Sequence, residues 1–208
     1  MFMRLSRKQI ALSSLIAASA IIALSAVYVF TAQDDTATAN IGLAGTEKYA
    51  DITTYKVHKI GNGALAEQVT NKFKVLGLSA TNLDSTLPEK GDQNTLVIFS
   101  DGSSIKELQV AARVGQLLYS DHAKVIMISD KMEDIKAFAS VVGNVNPGEA
   151  QAVGYKVRPP GDMCNVDGQV TECGGTGSAL VLTAYDKDHN IDVEGIQQAI
   201  LAWMGPDW

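Results

Sequence analysis

A glycine motif near residue 61 has the spacing of a phosphate-binding turn. The letters GNGALA occupy residues 61–66 between a predicted strand and a predicted helix, and Asp84 follows about 20 residues later. In the dinucleotide-binding pattern G-x-G-x-x-A, the glycines let a pyrophosphate approach the helix N-terminus and an acid binds the ribose. The preceding segment carries Lys56, His58 and Lys59, whereas the first strand of that fold is almost wholly apolar. A turn that simply requires glycine is the competing interpretation.

Two cysteines, Cys164 and Cys173, lie in a glycine-rich segment. Outside the cytoplasm, a disulfide is the natural state of such a pair. The pair Asp167-Gly168 is typical of a hairpin turn, here between two short arms that each carry a cysteine. Free or redox-active thiols and a metal site are the alternatives, although a metal needs more ligands than two thiols. We predict a structural disulfide.

The sequence assigns no catalytic residue. It contains no nucleophile elbow and no HExxH, CxxC or P-loop motif. The three histidines, His58, His122 and His189, lie on a predicted strand face and in two loops, where an isolated histidine is usually solvated surface. We therefore predict no catalytic side chain and no residue that binds an organic cofactor.

Residues 101–104, with the sequence Asp-Gly-Ser-Ser, follow a predicted buried strand. They resemble the D-x-S-x-S loop of von Willebrand A domains, in which an acid and two hydroxyls hold a hard cation. Ile105 stands in place of the second serine of that loop. The alternative is a helix N-cap, in which the side chains accept hydrogen bonds from free backbone N–H groups.

A segment near the C-terminus weakly resembles the calcium loop and exiting helix of EF-hand or dockerin-like modules. The resemblance implies four oxygen ligands at alternating positions, which are Asp186, Asp188, Asn190 and Asp192. Ile191 replaces the glycine expected at the sixth loop position, and Gln197 replaces the closing glutamate. A loop of acids that complements the dipole of the following helix is the alternative. Calcium is the one cofactor that the sequence suggests.

The elements that position these residues alternate between strands and helices. Apolar or alternating runs predict strands at residues 53–60, 95–99, 124–129 and 179–184, and a weaker one at 78–85. Periodic apolar positions predict helices that begin near residues 64, 104, 130 and 193. Residues 143–177, which include Pro159-Pro160 and many glycines, are predicted to be loop-rich. This alternation predicts an α/β sandwich with a parallel or mixed sheet.

The helix predicted over residues 104–120 has a wide apolar face. Ser104 and Glu107 suggest a capping box at its start. Its apolar stripe consists of Ile105, Leu108, Ala111, Ala112, Gly115 and Leu118, and is widened by Val110, Val114 and Leu117. We expect this helix to be the most buried one outside the membrane, with Leu108 in the core.

An apolar run without any charge occupies residues 9–30, and Arg4, Arg7 and Lys8 precede it. About 20 such residues span the hydrocarbon core of a bilayer, and the basic flank stays in the cytoplasm. We therefore predict a signal-anchor, a single transmembrane helix that holds an extracellular or cell-envelope domain at the outer face of the membrane.

Two other interpretations of this run stay open. A cleaved secretory signal has a similar layout, and its best small-residue site is Ala37-Thr38-Ala39. Prepilin-type processing between Lys8 and Gln9 is the other, because a short basic leader runs straight into the apolar segment. The first would give a secreted protein, and the second a subunit of a surface filament.

The sequence divides into three predicted regions. Residues 1–32 form the basic leader and transmembrane helix, residues 33–52 a small, polar linker, and residues 53–208 one extracytoplasmic α/β domain. The formal net charge of the chain is -6 at pH 7, and no cluster of Lys or Arg is interleaved with aromatic residues. We therefore expect no nucleic acid partner.

Part of the chain resembles the C-terminal domain of LytR-type cell-envelope proteins. The matching residues are YKVHKIGNGALAEQVTNKFKVLGLSATNLDS, followed by NTLVIFSDGSSIKELQVAARVGQLL. That family shows a strand, an N-G turn and a helix, and then further strands and a second helix of similar layout. The resemblance covers residues 53–128 and implies an α/β module at the outer face of a membrane, without catalytic residues.

These features predict a single-pass membrane protein of the cell envelope whose outer α/β domain has a non-catalytic binding or assembly role. Its expected partners are the membrane, through the apolar N-terminal run, and other envelope proteins or further copies of itself. A pilin-like subunit of a surface filament is one alternative. An extracytoplasmic metal-dependent enzyme that uses Asp101 or the acidic loop from Asp186 to Asp192 is the other.

Overall fold

The structure, a computed structural model, describes residues 26–31, 49–143, 145–166, 169–172, 174–175 and 177–205. Its strands are β1 Ala26–Thr31, β2 Lys56–Ile60, β3 Leu83–Asp84, β4 Thr95–Phe99, β5 Lys124–Ile128, β6 Ala152–Val157, β7 Met163–Val166, β8 Gln169–Glu172 and β9 Gly177–Thr183. Its α-helices are α1 Ala64–Val75, α2 Gly102–Ile105, α3 Leu108–Tyr119, α4 Met132–Val142 and α5 Val193–Met204. Short 3₁₀ turns lie at Ile52–Thr54 and Ala80–Asn82.

Seven of these strands form one mixed sheet in the order β1-β9-β6-β5-β4-β2-β3. Strands β3, β2, β4 and β5 are parallel to one another. Strand β6 is antiparallel to both β5 and β9, and β1 is parallel to β9. Because β6 runs the opposite way, its carboxyl end lies at the edge of the sheet where β4 and β5 begin. We call this edge the amino edge.

Helices cover both faces of the sheet. Helices α1 and α5 bury Phe73 and Ile200 against one face. Helices α2, α3 and α4 bury Ile105, Leu117 and Phe138 against the other. Successive residues of β4 belong to the two apolar clusters in turn, as the pleat of a strand requires. The predicted α/β sandwich with a mixed sheet is therefore confirmed.

Strand β6 is the main element that the sequence did not reveal. It lies within residues 143–177, which we expected to be loop-rich, yet all six of its residues are buried. Gly154 interrupts its apolar pattern, and a Cβ atom at this position would lie 2.9 Å from the Trp203 ring of α5. Lys156 interrupts the pattern again. Pairing with β5 and β9 on either side buries this segment completely.

Asp101 caps the start of α2. Its Oδ1 atom accepts hydrogen bonds from the backbone N–H groups of Ser103 and Ser104, each at 3.2 Å. This arrangement confirms the N-cap interpretation of residues 101–104. The capping box that we expected from Ser104 and Glu107 is wrong, because Ser104 already lies inside α2 and Glu107 makes no side-chain cap.

The helix expected over residues 104–120 is broken into α2 and α3 at Lys106 and Glu107. The break changes which side chains face the sheet. Leu108 is 84% exposed, whereas Leu117 is fully buried. Placing Leu108 in the core was therefore wrong. The buried residues of α3 are Leu118 from the expected stripe, and Val114 and Leu117, which were expected only to widen it.

At the N-terminal side, Ala26–Thr31 forms the edge strand β1, where we expected the end of a transmembrane helix. The sequence AVYVFT is rich in β-branched and aromatic residues, which favours a strand once a partner strand is available. The helix prediction is wrong for these residues, and residues 9–25 lie outside the described part of the chain. Among the described residues, no helix has the length and apolar character needed to span a bilayer.

The fold includes residues that the sequence assigned to the linker. The Ala50 N–H donates a hydrogen bond of 3.0 Å to the Leu201 carbonyl of α5. Ile52 is buried in the core on the same side of the sheet. The chain is therefore already packed on the domain at Ala50.

Strands β7 and β8 form a separate antiparallel hairpin. Val166 pairs with Gln169, which confirms the predicted hairpin, and the predicted turn residues 167 and 168 lie outside the described part of the chain. Cys164 of β7 stands opposite Thr171. Cys173 lies outside the described residues, and the disulfide stays a prediction.

The two leucines of α3 give a direct test of this packing. We expect Leu117→Ala to lower the free energy of unfolding by about 2 to 5 kcal/mol, because it removes a fully buried side chain. Leu108→Ala should change it by no more than about 0.5 kcal/mol, because that side chain is solvated. Urea denaturation of both variants measures the difference. Equal losses would contradict the observed orientation of α3.

Candidate functional site

The carboxyl ends of β2 and β4 form the place where most open α/β sheets bind ligands, because the helices after these strands cover opposite faces. Here the protein's own side chains fill it. The Ser100 hydroxyl donates to the Ile60 carbonyl at 2.9 Å and accepts from the Gly63 N–H at 3.0 Å. A Cβ atom at Gly61 would lie 2.1 Å from Asp101 Oδ2. The two glycines thus let two loops of the protein touch.

Electrostatics at this place also disfavour a phosphate. The Ser103 hydroxyl donates a 2.6 Å hydrogen bond to Asp101, and this bond is the largest of the effects that lower the pKa of Asp101. The resulting carboxylate repels an approaching anion. Asp84, the candidate ribose ligand, accepts hydrogen bonds from the N–H and hydroxyl of Thr86 at 2.9 and 3.0 Å. The geometry favours the turn interpretation of residues 61–66.

The four candidate calcium ligands lie on an exposed turn that leads into α5. Asp186 Oδ1 accepts hydrogen bonds from the N–H groups of Asp188 and Asn190 at 2.8 and 2.9 Å. The bond from Asn190 is the largest cause of a lowered pKa at Asp186. Asp192 Oδ1 accepts from the Gly195 N–H and caps α5. In the described part of the chain, no three His, Cys, Asp or Glu side chains are grouped to hold a metal ion. Calcium binding stays a prediction.

All three histidines lie where the sequence placed them, on a strand and in two loops, but His122 is not a fully solvated side chain. His58 lies on β2, with Nδ1 2.9 Å from the Thr86 carbonyl, and His189 lies in the exposed turn before α5. His122 adopts a left-handed φ of 55° just before β5. Its Nδ1 atom is buried, and no hydrogen-bond partner for it lies within the described residues. His122 lines the cavity at the amino edge.

This cavity has a volume of about 510 Å³, within the usual range for small-molecule sites. It opens where β4 and β5 begin and where the antiparallel strand β6 ends. Its walls come from several elements, and they include Tyr55, Asn94, His122, Lys124, Lys156, Arg158 and Gly205. The reversed direction of β6 is therefore what brings residues of β5 and β6 to one site. We call it the amino-edge cavity.

Three basic side chains line the amino-edge cavity, and all three belong to buried residues. Lys124 is 8% exposed, Lys156 is 5% exposed and Arg158 is 4% exposed. Charged residues are rarely buried to this degree, because a charge loses hydration when it leaves water. Buried positive charges in a cavity of this size therefore need compensating groups, which the protein, a ligand or both can supply.

The strand register explains how the two lysines meet. Val125 of β5 pairs with Tyr155 of β6 in antiparallel register. The next position along both strands places Lys124 opposite Lys156. Like charges in directly opposite positions of an antiparallel pair destabilise it. The sheet therefore holds two lysines together at an energetic cost.

Nearby carbonyls and aromatic rings stabilise the lysine ammonium groups in part. Lys124 Nζ donates to the Gln93 carbonyl at 2.5 Å and lies 5.1 Å from the centre of the Tyr55 ring. Lys156 Nζ donates to the Trp203 carbonyl and lies 5.5 Å from the centre of the ring of the same residue. These distances suit cation–π contacts. The Tyr55 hydroxyl donates to the Met204 carbonyl at 3.2 Å and connects this wall to the end of α5.

Both lysines titrate close to neutral pH. Burial lowers the pKa of Lys124 to about 8, although the negative charge of Asp92 acts in the opposite direction. Burial also lowers the pKa of Lys156 to about 7, and the positive charges of Lys124 and Arg158 lower it further. Strongly shifted groups that share one cavity are typical of functional sites. This arrangement can bind an oxyanion and can exchange protons when it does so.

Comparisons with known proteins give no further assignment. No protein-family model, no curated protein and no solved structure matches the chain. The resemblance of residues 53–128 to LytR-type envelope proteins and the weaker resemblance to a calcium loop both stay predictions.

The sequence did not reveal the basic residues of the cavity. Lys124 was seen only as the first residue of a buried strand, and Lys156 and Arg158 fell in the segment expected to be loop-rich. Alternation of Val153, Tyr155 and Val157 is the signal that could have identified β6 and thus placed Lys156 on a strand. The antiparallel pairing that sets Lys156 against Lys124 has no local signal.

The lowered lysine pKa values predict how stability depends on pH. In the unfolded chain both lysines titrate near pH 10, so between about pH 7 and pH 10 the unfolded state binds more protons than the folded state. The free energy of unfolding should therefore rise as the pH increases from about 7 to 9. Lys156→Met should remove much of this rise, and Lys136→Met, at an exposed position of α4, should retain it.

Denaturant unfolding at several pH values measures this slope. A wild-type protein whose stability falls over the range would contradict the prediction. An undiminished rise in Lys156→Met would contradict the role of Lys156.

Proposed function

We propose that the α/β domain is a non-catalytic binding module that holds the acidic group of a small molecule in the amino-edge cavity. The observation that carries this proposal is the convergence of Lys124, Lys156 and Arg158 on one cavity of small-molecule size. The ligand chemistry that fits these residues is an oxyanion, a carboxylate or a phosphate group.

An oxyanion stabilises buried cations in two ways. A negative charge between them offsets their mutual repulsion, and it favours the protonated form of each lysine. An arginine side chain can donate two parallel hydrogen bonds to one carboxylate or phosphate, while a lysine acts as a point charge. A bound anion would therefore interact favourably with all three side chains.

We also propose that this domain is anchored at the outer face of a membrane in the cell envelope, with envelope proteins or further copies of itself as partners. The sequence supports this location through the uncharged run and its basic flank. With β1 in the sheet, residues 9–25 are left for the span, about 25 Å of helix, which is near the lower limit for crossing a bilayer.

Protease added to intact cells or spheroplasts should remove the domain and leave a small membrane-bound fragment. Release of the whole domain into the medium without added protease would contradict the anchor and favour a cleaved signal. A mature N-terminus at Gln9 would favour a pilin-like subunit instead.

Anion binding can be tested with inorganic phosphate as the probe. We expect phosphate to raise the melting temperature above the value in sodium chloride of equal ionic strength, because it binds only the folded state. Arg158→Gln should weaken phosphate binding about tenfold or more, since it removes a charged donor from the cavity. Lys136→Met, which changes an exposed lysine, is the matched control and should behave as wild type.

Binding that Arg158→Gln leaves unchanged would contradict the proposed site. The absence of any response to phosphate, succinate and acetate would contradict the proposed function.

A further inference from the structure

We infer that the amino-edge cavity selects small ligands with two negative charges over ligands with one, and takes up protons when it binds them. This inference rests on the proposed function, because it requires an anion in the cavity. The shared ligand chemistry is a compact dianion, either a phosphate group or a pair of carboxylates on a short chain.

The three cations lie close together in the fold. Opposite residues of an antiparallel pair have Cα atoms about 4.5 to 5.5 Å apart, which is the expected separation of Lys124 and Lys156. Arg158 follows Lys156 by two residues, about 6 to 7 Å along an extended chain. All three residues line the same cavity. The positive charges therefore surround one volume from two strands.

The charge of the ligand decides how much of the repulsion among these cations is offset. A single negative charge offsets the repulsion of one pair of these cations. A dianion between all three offsets more of it, including the repulsion from Lys124 and Arg158 that lowers the pKa of Lys156. Because electrostatic interactions are stronger away from bulk water, the second negative charge should contribute more to affinity here than on an exposed surface.

The other residues of the cavity wall limit the size and total charge of the ligand. Apolar groups form part of the wall, and they include the residues Tyr55, Val157, Pro159 and Met204. Asp51 and Asp162 are exposed residues that also line the cavity. Their carboxylates repel any further negative charge that extends towards solvent. Small dianions therefore fit better than polyanions such as nucleic acid or nucleoside triphosphates.

Proton uptake follows from the protonation of the two lysines. With pKa values of about 8 and about 7, Lys124 and Lys156 are only partly protonated in the ligand-free protein near pH 7.5. Among the described residues, Asp92 favours the charged form of Lys124, and the other charged and titratable groups along the cavity are Arg158, Tyr49, Tyr55, His122, Asp51 and Asp162. A bound dianion raises both lysine pKa values, so protons bind with it. Affinity should then fall as the pH rises from about 7 to 9.

Isothermal titration calorimetry of the full chain tests the inference with succinate, acetate and inorganic phosphate as probes. Titrations in two buffers of different ionisation enthalpy give the number of protons taken up. Succinate is the probe for the pH series, because it stays fully ionised over this range. We expect succinate or phosphate to bind about tenfold or more tightly than acetate, the equivalent of one further favourable charge contact. The tighter of the two identifies the dianion class.

The variants separate the parts of the inference. Lys156→Met should bring succinate and acetate to within about threefold of each other and remove most of the proton uptake. Lys136→Met should leave both quantities unchanged. Acetate that binds wild type as tightly as both dianions would overturn the selectivity, while the proposed anion site would stand. Binding of succinate, which is already fully ionised, without proton uptake would overturn the coupling. Failure of all three probes to bind would overturn the proposed function itself.

Discussion

Two lysines face each other across the β5-β6 strand pair, and the candidate site depends on that contact. The register that aligns Val125 with Tyr155 leaves Lys124 and Lys156 opposite each other at the amino edge. Their repulsion and their burial oppose folding, as the lowered pKa values of both lysines indicate. Strand β6 is central and wholly buried, so its apolar residues fix its register. The burial of these residues offsets the cost of holding the two lysines together. The lysines lie where that register places them.

The two edges of the parallel strands differ in a way that moves the site from its usual place. At the carboxyl edge, Gly61 and Gly63 bring one loop into contact with Ser100 and Asp101, and hydrogen bonds close the crevice. At the amino edge, the reversed strand β6 ends beside the start of β5, and a cavity remains. The motif that suggested nucleotide binding thus helps to close one edge, and the ligand site that we propose lies at the other.

The sequence predicted those parts of the fold that depend on local pattern. Strands β2, β4, β5 and β9 and helices α1, α4 and α5 follow from apolar runs and periodicity, and the hairpin from its turn pair. The prediction failed where tertiary contacts decide the outcome. Strand β6 was not predicted, because Gly154 and Lys156 interrupt its apolar run. The helix break at Lys106 leaves Leu108 exposed to solvent. The site was missed for the same reason, because its residues meet only through the antiparallel pairing of β6 with β5.

The central claim is that Lys124 and Lys156 are buried cations that titrate near neutral pH, in a cavity that we propose as a site for an acidic ligand. NMR titration of the lysine side-chain ¹³Cε signals in the ligand-free protein tests it most directly, with Lys124→Met and Lys156→Met spectra for assignment. The account predicts two signals with midpoints near pH 8 and pH 7, and both midpoints should move up when succinate is added. Midpoints of both lysines near the usual value of about 10.4, unchanged by anions, would contradict it.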